Sequence, residues 1–153
     1  MPNSPYTARA ATPADLDTLA AFILAEAAEA EGAAKAPETV RAGISAGLND
    51  PAIARYWVLQ SGAGEVIGSI SVVREWSDWH AGFYWWIQSM FITPEYRGQG
   101  LMPLLLDAVR AAARAEKALE LRLYVHRDNG RAIRAYRKAG FGDLPYQIMS
   151  LAP

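Results

Sequence analysis

A loop with two glycines carries the residues best suited to chemistry. An apolar, strand-like run ends at Thr93-Pro94, and a short loop containing Arg97, Gly98 and Gly100 leads directly into an amphipathic helix. Glycine lets main-chain N–H groups turn toward a ligand with no Cβ in the way, and the helix N-terminus adds unpaired donors. The Arg97 guanidinium can bind two phosphate oxygens at once. The loop therefore predicts a pyrophosphate site, although an ordinary strand-to-helix turn could contain the same residues.

Length, charge and cysteine content limit the possible functions. The 153 residues contain no cysteine and carry a formal net charge of −1. This length favours a single domain, 1–153, with a proper core. The lack of cysteine excludes disulfides, thiolate metal sites and a cysteine nucleophile. The near-neutral charge argues against nucleic acid as the main partner. We expect a small ligand whose phosphate is held locally.

Hydropathy and histidine spacing point to no membrane or metal role. The residues Met1 to Pro5 contain no basic stretch followed by an apolar run, so no secretory signal is predicted. No 18 consecutive residues are apolar and uncharged, so no membrane span is expected. His80 and His126 have no partner at metal-ligand spacing. We therefore expect a cytoplasmic protein without a bound metal.

Hydrophobic periodicity predicts strands and helices in the order β-α-α-β-β-β-α-β-α-β-β, a layered α/β fold. A helix with Thr12 as its cap and Pro13 in its first turn is expected to end near Gly32. The other predicted helices cover Pro37–Leu48, the segment after the glycine loop, and about Gly130–Ala139. The predicted strands are Tyr6–Ala10, Arg55–Gln60, Val66–Arg74, Phe83–Ile92, Leu121–Val125, a strand near Phe141, and Tyr146–Leu151.

Two blocks of sequence resemble the GNAT-type N-acetyltransferases. Arg97-Gly98-Gln99-Gly100-Leu101-Met102 is similar to the family pattern Gln/Arg-x-x-Gly-x-Gly/Ala and departs from it at Met102. The segment from Asn129 to Phe141 resembles the family block Asn-x-x-Ala-x-x-x-Tyr-x-x-x-Gly-Phe. Trp85–Ser89 is similar to an uncharacterised bacterial branch of these enzymes. The resemblance implies a mixed, mostly antiparallel central sheet flanked by helices.

The resemblance also implies acetyl-CoA as co-substrate. The main chain of Met90 and Ile92 would pair with its pantetheine arm, and an N–H near Met90 or Phe91 would polarise the thioester carbonyl. Asn129 is a CoA contact, a helix cap or both. Tyr136 is the expected CoA contact and general acid for the sulfur, with a packed ring as the alternative. The pyrophosphate would bind the main-chain N–H groups of Arg97, Gly98, Gln99, Gly100, Leu101 and Met102.

The general base is predicted from the loop before the central strand. An alkylamine with a pKa near 10.4 is free base only about once in 10³–10⁴ molecules at pH 7, so a carboxylate would help remove its proton. Glu75 and Asp78 are the candidates, with solvated loop charges as the alternative. Four tryptophans lie around them in the sequence and either form a cation–π box for a substrate ammonium or are residues of the core or of a dimer interface: Trp76, Trp79, Trp85 and Trp86. A second cluster of acidic residues either attracts a cationic amine or simply lies on an exposed helix face: Glu26, Glu29 and Glu31.

Other nucleotide-binding classes lack their motifs. A dinucleotide fold needs a third glycine three positions after Gly100, where Pro103 stands, and no Gly-Lys-Ser/Thr phosphate loop is present. The resemblance thus implies direct transfer of an acetyl group to a primary amine of a small molecule or peptide, and also a homodimer, since a dimer is common in this family. The alternative is a non-catalytic acyl-CoA-binding sensor or interaction module on the same fold.

Overall fold

A five-stranded sheet organises the protein. The structure is a computed structural model that describes residues 4–32 and 34–153. The prediction that Met1 to Pro5 contain no secretory signal falls partly on Met1–Asn3, which lie outside the described residues. The strands lie in the sheet in chain order. The first four strands pair antiparallel with one another, and the fourth and fifth strands pair parallel. The predicted mixed, mostly antiparallel sheet is confirmed. The strands are β1 (Thr7–Ala10), β2 (Arg55–Gln60), β3 (Val66–Ser77), β4 (Gly82–Ile92) and β5 (Glu120–Leu123).

Four helices flank the sheet: α1 (Leu16–Glu31), α2 (Pro37–Asn49), α3 (Met102–Ala115) and α4 (Gly130–Lys138). A 3₁₀ turn at Pro13–Asp15 leads into α1, as the Thr12-Pro13 signal predicts. Asp15 accepts a hydrogen bond from the Thr12 amide at 2.8 Å and forms a bidentate ion pair with Arg9 at 2.9 Å. This buried carboxylate fixes the start of α1 against β1.

The helices cover opposite faces of the sheet. One core cluster joins α3, through Leu105 and Val109, to fully buried side chains of β2, β3 and β4 such as Trp85. A second cluster joins α1 and α2 to β2 through Leu19, Ile44 and Val58. Phe22 of α1 packs on Phe91 of β4 with ring centroids 5.0 Å apart. The sheet is therefore buried on both sides, which fixes α1 and α3 relative to β4.

A β-bulge interrupts β4 at Gln88. Ser89 pairs with Ser71 and Ile87 pairs with Val72, which leaves Gln88 as the extra residue. Bulges increase local twist and are common beside active sites. Pairing between β4 and β5 ends at Ile87 and Leu123. From Gln88 to Ile92, the β5 side of β4 pairs with no strand in the part of the chain that the structure describes.

The predicted strands at the end of the chain are wrong. Neither the region of Phe141 nor Tyr146–Leu151 is a strand, and the side chains from Gly142 onward are exposed. The residue pattern suits a strand, but a strand also needs a paired neighbour, and this segment pairs with no strand in the part of the chain that the structure describes. Two smaller differences concern where strands end: β3 continues to Ser77 and not only to the predicted Arg74, and β5 ends at Leu123 before the predicted Val125.

No helix among residues 4–32 and 34–153 combines the length and apolar character needed to cross a membrane.

Candidate active site

The glycine loop forms a concave set of free main-chain donors. Gly98 and Gly100 have φ of +77° and +71°, a conformation that side chains disfavour. A Cβ built on either glycine meets nothing within 4 Å, so the loop faces open space. Within the described chain, the amides of residues 98–102 have no hydrogen-bond acceptor. The N-cap of α3, Leu101, provides no side-chain cap either. Such a donor set fits an anionic diphosphate.

The unpaired edge of β4 leads directly into this loop. The Thr93 amide donates to the Ile67 carbonyl at 2.8 Å, which anchors the loop to β3. Upstream, the main chain of Met90 and Ile92 belongs to the segment of β4 that β5 does not reach. Such an edge can pair with an extended amide-containing chain, as in β-augmentation. The edge and the loop together fit the amide arm and diphosphate of CoA.

Arg97 does not face the open loop. Its guanidinium binds both carboxylate oxygens of Glu29 on α1, at 3.0 and 2.9 Å. Its Nε donates to the Ile92 carbonyl at 2.8 Å, and the guanidinium lies over the Phe91 ring. In this structure Glu29 holds the guanidinium, and phosphate binding by this side chain stays a prediction. The two-pronged guanidinium of Arg97 can bind a carboxylate or a phosphate. In this structure it binds the carboxylate of Glu29, which joins α1 to the loop.

Asn129 has a structural role at the start of α4. Its Oδ1 accepts a hydrogen bond from the Ala132 amide at 3.2 Å, which makes it the N-cap of α4. Of the two predicted roles, the structure contains the helix cap.

Tyr136 lies on α4, half-buried, with its ring edge-on to Phe141 at 5.7 Å. Burial, and secondarily the charge of Glu26, raises the pKa of its hydroxyl to about 12. Tyr136 therefore stays protonated at neutral pH, as a proton donor must.

Glu26 is a buried carboxyl that sequence reasoning undervalues. Burial is the main cause that raises the pKa of its carboxyl to about 7; a hydrogen bond from the Met90 amide opposes this shift, and the charge of Glu29 adds to it. Its Oε2 is buried and has no hydrogen-bond donor among residues 4–32 and 34–153. The sequence contains a signal: Glu26 follows Leu19 and Phe22 on the helical stripe that α1 buries. An acid on an apolar stripe is costly to bury and needs a reason.

Glu26 borders a cavity between α1, α2 and the sheet. Its volume of about 590 Å³ falls within the roughly 300–1,000 Å³ of small-molecule sites. The floor includes Gln88 at the bulge and a hydroxyl pair, Ser71 and Ser89, with Oγ atoms 2.6 Å apart. The walls are mostly apolar: Ile23, Ala27, Val40, Ile44, Ala54 and Tyr56. This cavity can hold an organic molecule with its polar end at Glu26.

The sequence comparison decides the family. The model of the acetyltransferase (GNAT) family matches residues 20–141. This chain belongs to the GNAT acetyltransferase family. GNAT members are acyl-CoA-dependent acetyltransferases that use acetyl-CoA and act on amine acceptors. No curated protein matches the chain.

Solved structures share the GNAT fold. A possible acetyltransferase from Clostridium difficile 630 is 29% identical and superposes with a TM-score of 0.90 over 98% of this chain and 99% of that chain. An integron cassette protein from the Cole Harbour Salt Marsh metagenome is 23% identical, with a TM-score of 0.82 over 95% and 90% of the two chains. The ribosomal-protein-alanine N-acetyltransferase of Brucella melitensis biovar Abortus 2308 is 14% identical, with a TM-score of 0.75 over 95% and 99%.

The structure does not bring the proposed bases Glu75 and Asp78 to Met90. Glu75 pairs with Tyr84 near the far end of the β3–β4 hairpin, and Asp78 lies in its turn. Met90 is six residues along β4 from Tyr84, about 20 Å at roughly 3.3 Å per residue. A base at Glu75 or Asp78 would therefore be far from the unpaired edge.

The four tryptophans do not form a cation–π box in this GNAT structure. Trp85 is 1% exposed and packs against Trp57, whereas Trp79 is 84% exposed. Trp86 stacks on Tyr124 with ring centroids 4.7 Å apart. Nor does any group of three or more His, Asp or Glu side chains within the described residues have the arrangement of a metal site.

Proposed function

We propose that this protein transfers the acetyl group of acetyl-CoA directly to a primary amine of a small molecule or peptide. One observation carries the proposal. Glu26 is close enough to contact the Met90 amide and to influence the ionisation of Tyr136. These effects support a site in which a carboxyl with a raised pKa and the half-buried Tyr136 hydroxyl lie within electrostatic range of each other near the unpaired edge of β4. This is the arrangement that removal of one proton and delivery of another require.

In this proposal, the free amides of residues 98–102 bind the diphosphate, and the main chain of Met90 to Ile92 pairs with the pantetheine amides. Acetyl-CoA supplies an acetyl thioester that reacts readily with amines. Met102 replaces the small residue of the family pattern at the first position of α3. Because its side chain is unbranched and flexible, it can leave the helix N-terminus open to phosphate.

Glu26 acts as the general base in this scheme. A carboxyl with a pKa of about 7 is half-ionised at neutral pH, close to the ideal for a base. Its unpaired Oε2 accepts a proton from the acceptor nitrogen. As that nitrogen bonds to the acetyl carbon, the carbon–sulfur bond breaks, and the Tyr136 hydroxyl delivers a proton to the sulfur. The products are an N-substituted acetamide and CoA, and solvent restores both side chains.

The cavity beside Glu26 supports an acceptor with an apolar body and one amine. Ile23, Val40 and Tyr56 would contact the apolar part, and the carboxylate would attract the ammonium group, which releases its first proton to solvent before the free amine attacks and gives its second to Glu26. The hydroxyl pair of Ser71 and Ser89 offers further polar contacts.

Release of free thiol from acetyl-CoA, measured against a panel of amines, tests this function. The chain has no cysteine, so the protein itself gives no thiol background. The panel should include apolar alkyl- and arylalkylamines, and a peptide with N-terminal alanine, because one structural neighbour is a ribosomal-protein-alanine N-acetyltransferase. Amine-dependent thiol release that Glu26→Gln reduces is the expected result. Binding of acetyl-CoA without turnover on any amine would favour the sensor instead.

A further inference from the structure

The main-chain groups that face the open edge of β4 follow from its pairing with β3. The Thr93 amide donates to the Ile67 carbonyl at 2.8 Å, and Ile92 lies opposite Gly68 in the register. Hydrogen-bonded and non-hydrogen-bonded pairs alternate along an antiparallel ladder. Ile92, and Met90 two residues before it, therefore turn their N–H and C=O groups away from β3. These are the groups that an added chain on the β5 side would meet.

Side chains of the protein already contact both of these residues. The Nε of Arg97 donates to the Ile92 carbonyl at 2.8 Å, and the carboxyl of Glu26 accepts a hydrogen bond from the Met90 amide. A donor thus meets the carbonyl and an acceptor meets the amide, as the amides of an extended arm would. The protein's own side chains therefore occupy the open edge, and a bound arm must displace them.

Glu29 of α1 holds Arg97 in this position. Both carboxylate oxygens accept hydrogen bonds from the guanidinium, at 3.0 and 2.9 Å, and the guanidinium lies 5.2 Å from the centre of the Phe91 ring. The Glu29 side chain is 49% exposed, so water and dissolved anions reach the pair. Ion pairs this exposed contribute little stability. Little free energy is therefore needed to move the guanidinium to another anion.

The diphosphate proposed for the glycine loop is such an anion. Arg97 directly precedes the amides of residues 98–102, which have no acceptor within the described chain, so its side chain starts at the rim of that site. A guanidinium binds phosphate oxygens with the same paired geometry as a carboxylate. A diphosphate carries more negative charge than one carboxylate and would compete with Glu29 for the guanidinium.

We propose that acetyl-CoA takes Arg97 from Glu29, and that the released Glu29 then attracts the cationic amine acceptor. The guanidinium moves from Glu29 and the Ile92 carbonyl to the diphosphate. The carbonyl is then free to accept a hydrogen bond from an amide of the pantetheine arm. Glu29 becomes a positioning residue that favours binding of acetyl-CoA before the amine. This inference rests on the proposed function.

Release of Glu29 changes the charge around the acceptor. Glu26 and Glu29 are three positions apart on α1, so they lie side by side on one helix face. In the free protein, Arg97 balances the charge of Glu29. Once the guanidinium has left, Glu29 adds an unbalanced negative charge beside Glu26, which borders the cavity. The coupling is reciprocal, so a bound cationic amine strengthens acetyl-CoA binding by the same factor.

Calorimetry of CoA binding to Glu29→Gln tests the exchange. Because glutamine holds the guanidinium less tightly, CoA should bind this variant about two- to fivefold more tightly than the parent, as expected for release of an exposed ion pair. The matched control is Glu31→Gln, which removes the same charge from α1 but from a pair with Lys35. Its CoA affinity should equal that of the parent. Both side chains are exposed, so both variants should fold.

The same substitution in an Arg97→Gln background shows whether the gain depends on the arginine. There, Glu29→Gln should leave CoA affinity unchanged, because no guanidinium remains to be released. An equal gain with and without Arg97 would overturn the proposal, since the charge of Glu29 would then act on CoA directly. So would a Glu29→Gln protein that binds CoA no more tightly than the parent, because a pair that only braces the loop predicts equal or weaker binding.

Steady-state kinetics of Glu29→Gln tests the attraction of the amine. With the amine of the panel that the parent acetylates fastest, the KM for the amine should rise several-fold while the KM for acetyl-CoA falls. A merely structural role would raise both. An unchanged KM for the amine would overturn the role of Glu29 toward the acceptor. If no amine supports thiol release, the acetyl-transfer proposal fails, whereas calorimetry with CoA still decides whether Arg97 changes partners.

Discussion

At the scale of single residues, the proposed site depends on two side chains that differ in protonation at neutral pH: Glu26 titrates there, whereas Tyr136 keeps its proton. Burial raises the pKa of Glu26 to about 7 and that of Tyr136 to about 12. At neutral pH, Glu26 can therefore take up a proton while Tyr136 holds one. Neighbouring groups whose environments separate their functions in this way are the usual basis for assigning acid and base.

Glu26→Gln should lower kcat on the order of 10²–10⁴-fold, the usual contribution of a general base. In the parent, kcat should rise with pH up to about 7 and then level off, because only the ionised carboxylate accepts a proton. Glutamine cannot accept one, so this inflection should disappear. The affinity for acetyl-CoA, measured by calorimetry, should stay close to that of the parent.

Glu75→Gln is the matched control for this substitution. It makes the same chemical change in the far part of the β3–β4 hairpin and should leave kcat and its pH profile nearly unchanged. If Glu75→Gln removed the inflection and Glu26→Gln did not, the base would be Glu75 in the far part of the β3–β4 hairpin.

Tyr136→Phe should lower turnover on the order of 10²-fold with little change in acetyl-CoA affinity. The loss should be limited, because a thiol with a pKa near 8.5 leaves fairly well as thiolate. The ring still packs against Phe141, so the fold should be retained. Steady-state kinetics paired with calorimetry measure both effects. Equal turnover of variant and parent would rule out the acid role.

At the scale of elements, the proposed site lies where β4 extends beyond the end of β5. The bulge at Gln88 and the end of β5 at Leu123 leave the β5 side of β4 without a strand partner from Gln88 to Ile92 among the described residues. The glycine loop then turns its amides outward before α3 begins. Meanwhile α1 brings Glu26 over the same strand, and the Arg97–Glu29 pair holds α1 to the loop. The proposed chemistry therefore depends on the relative positions of β4, the glycine loop and α1, and not on one sequence motif.

Gly100→Val should abolish acetyl-CoA binding. Valine disfavours a φ of +71°, and its side chain would project into the open space that the loop faces. Gly64→Val is the matched control, because Gly64 also has positive φ (+86°) and open surroundings, but lies in the β2–β3 turn. Both variants should lose about 1–2 kcal/mol of stability, and only Gly100→Val should lose binding by calorimetry. Loss of binding in both would mean that general strain, not the loop, is responsible.

Local signals in the sequence predicted most of the elements. The capping turn at Thr12–Asp15, the hairpin at Ser61–Gly64 and the helix cap at Asn129 each depend on a few adjacent residues, and each forms as expected. Contacts between distant parts of the chain could not be predicted in this way. Arg97 meets Glu29 from 68 positions away. The tail resembles a strand, but it pairs with no strand among the described residues.

The importance of Glu26 also depends on tertiary structure. On the helix alone, Glu26 resembles the exposed Glu29 and Glu31. Only the packing of α1 on the sheet buries its carboxylate, places it by Met90 and opens the cavity beside it. Its position on the apolar stripe of α1 was the one clue in the sequence.

At the scale of the whole molecule, Glu26 should make the protein less stable as pH rises. Its pKa is 4.5 ordinarily and about 7 when folded, so the folded chain keeps a proton that the unfolded chain releases between these values. The free energy of unfolding of the parent should therefore fall from pH 4.5 to about 7 and lose nothing further from this group above it.

Glu26→Gln removes this penalty, so its advantage over the parent should grow between pH 5 and pH 8, on the order of 1–3 kcal/mol. Urea denaturation of both proteins at the two pH values measures the difference. The same substitution should thus reduce activity and increase stability, as is common at active sites. A variant no more stable at pH 8 than at pH 5, relative to the parent, would mean that the carboxylate is solvated.

Titration of the protein with CoA, followed by the main-chain amide resonances, tests the central claim most directly. If main-chain donors form the co-substrate site, the amides of residues 98–102 and of Met90 to Ile92 should shift together and saturate at one dissociation constant. The amides of Gly62 to Gly64, in a glycine turn of similar conformation, should not move. Unchanged resonances at residues 98–102 in the presence of saturating CoA would contradict the account.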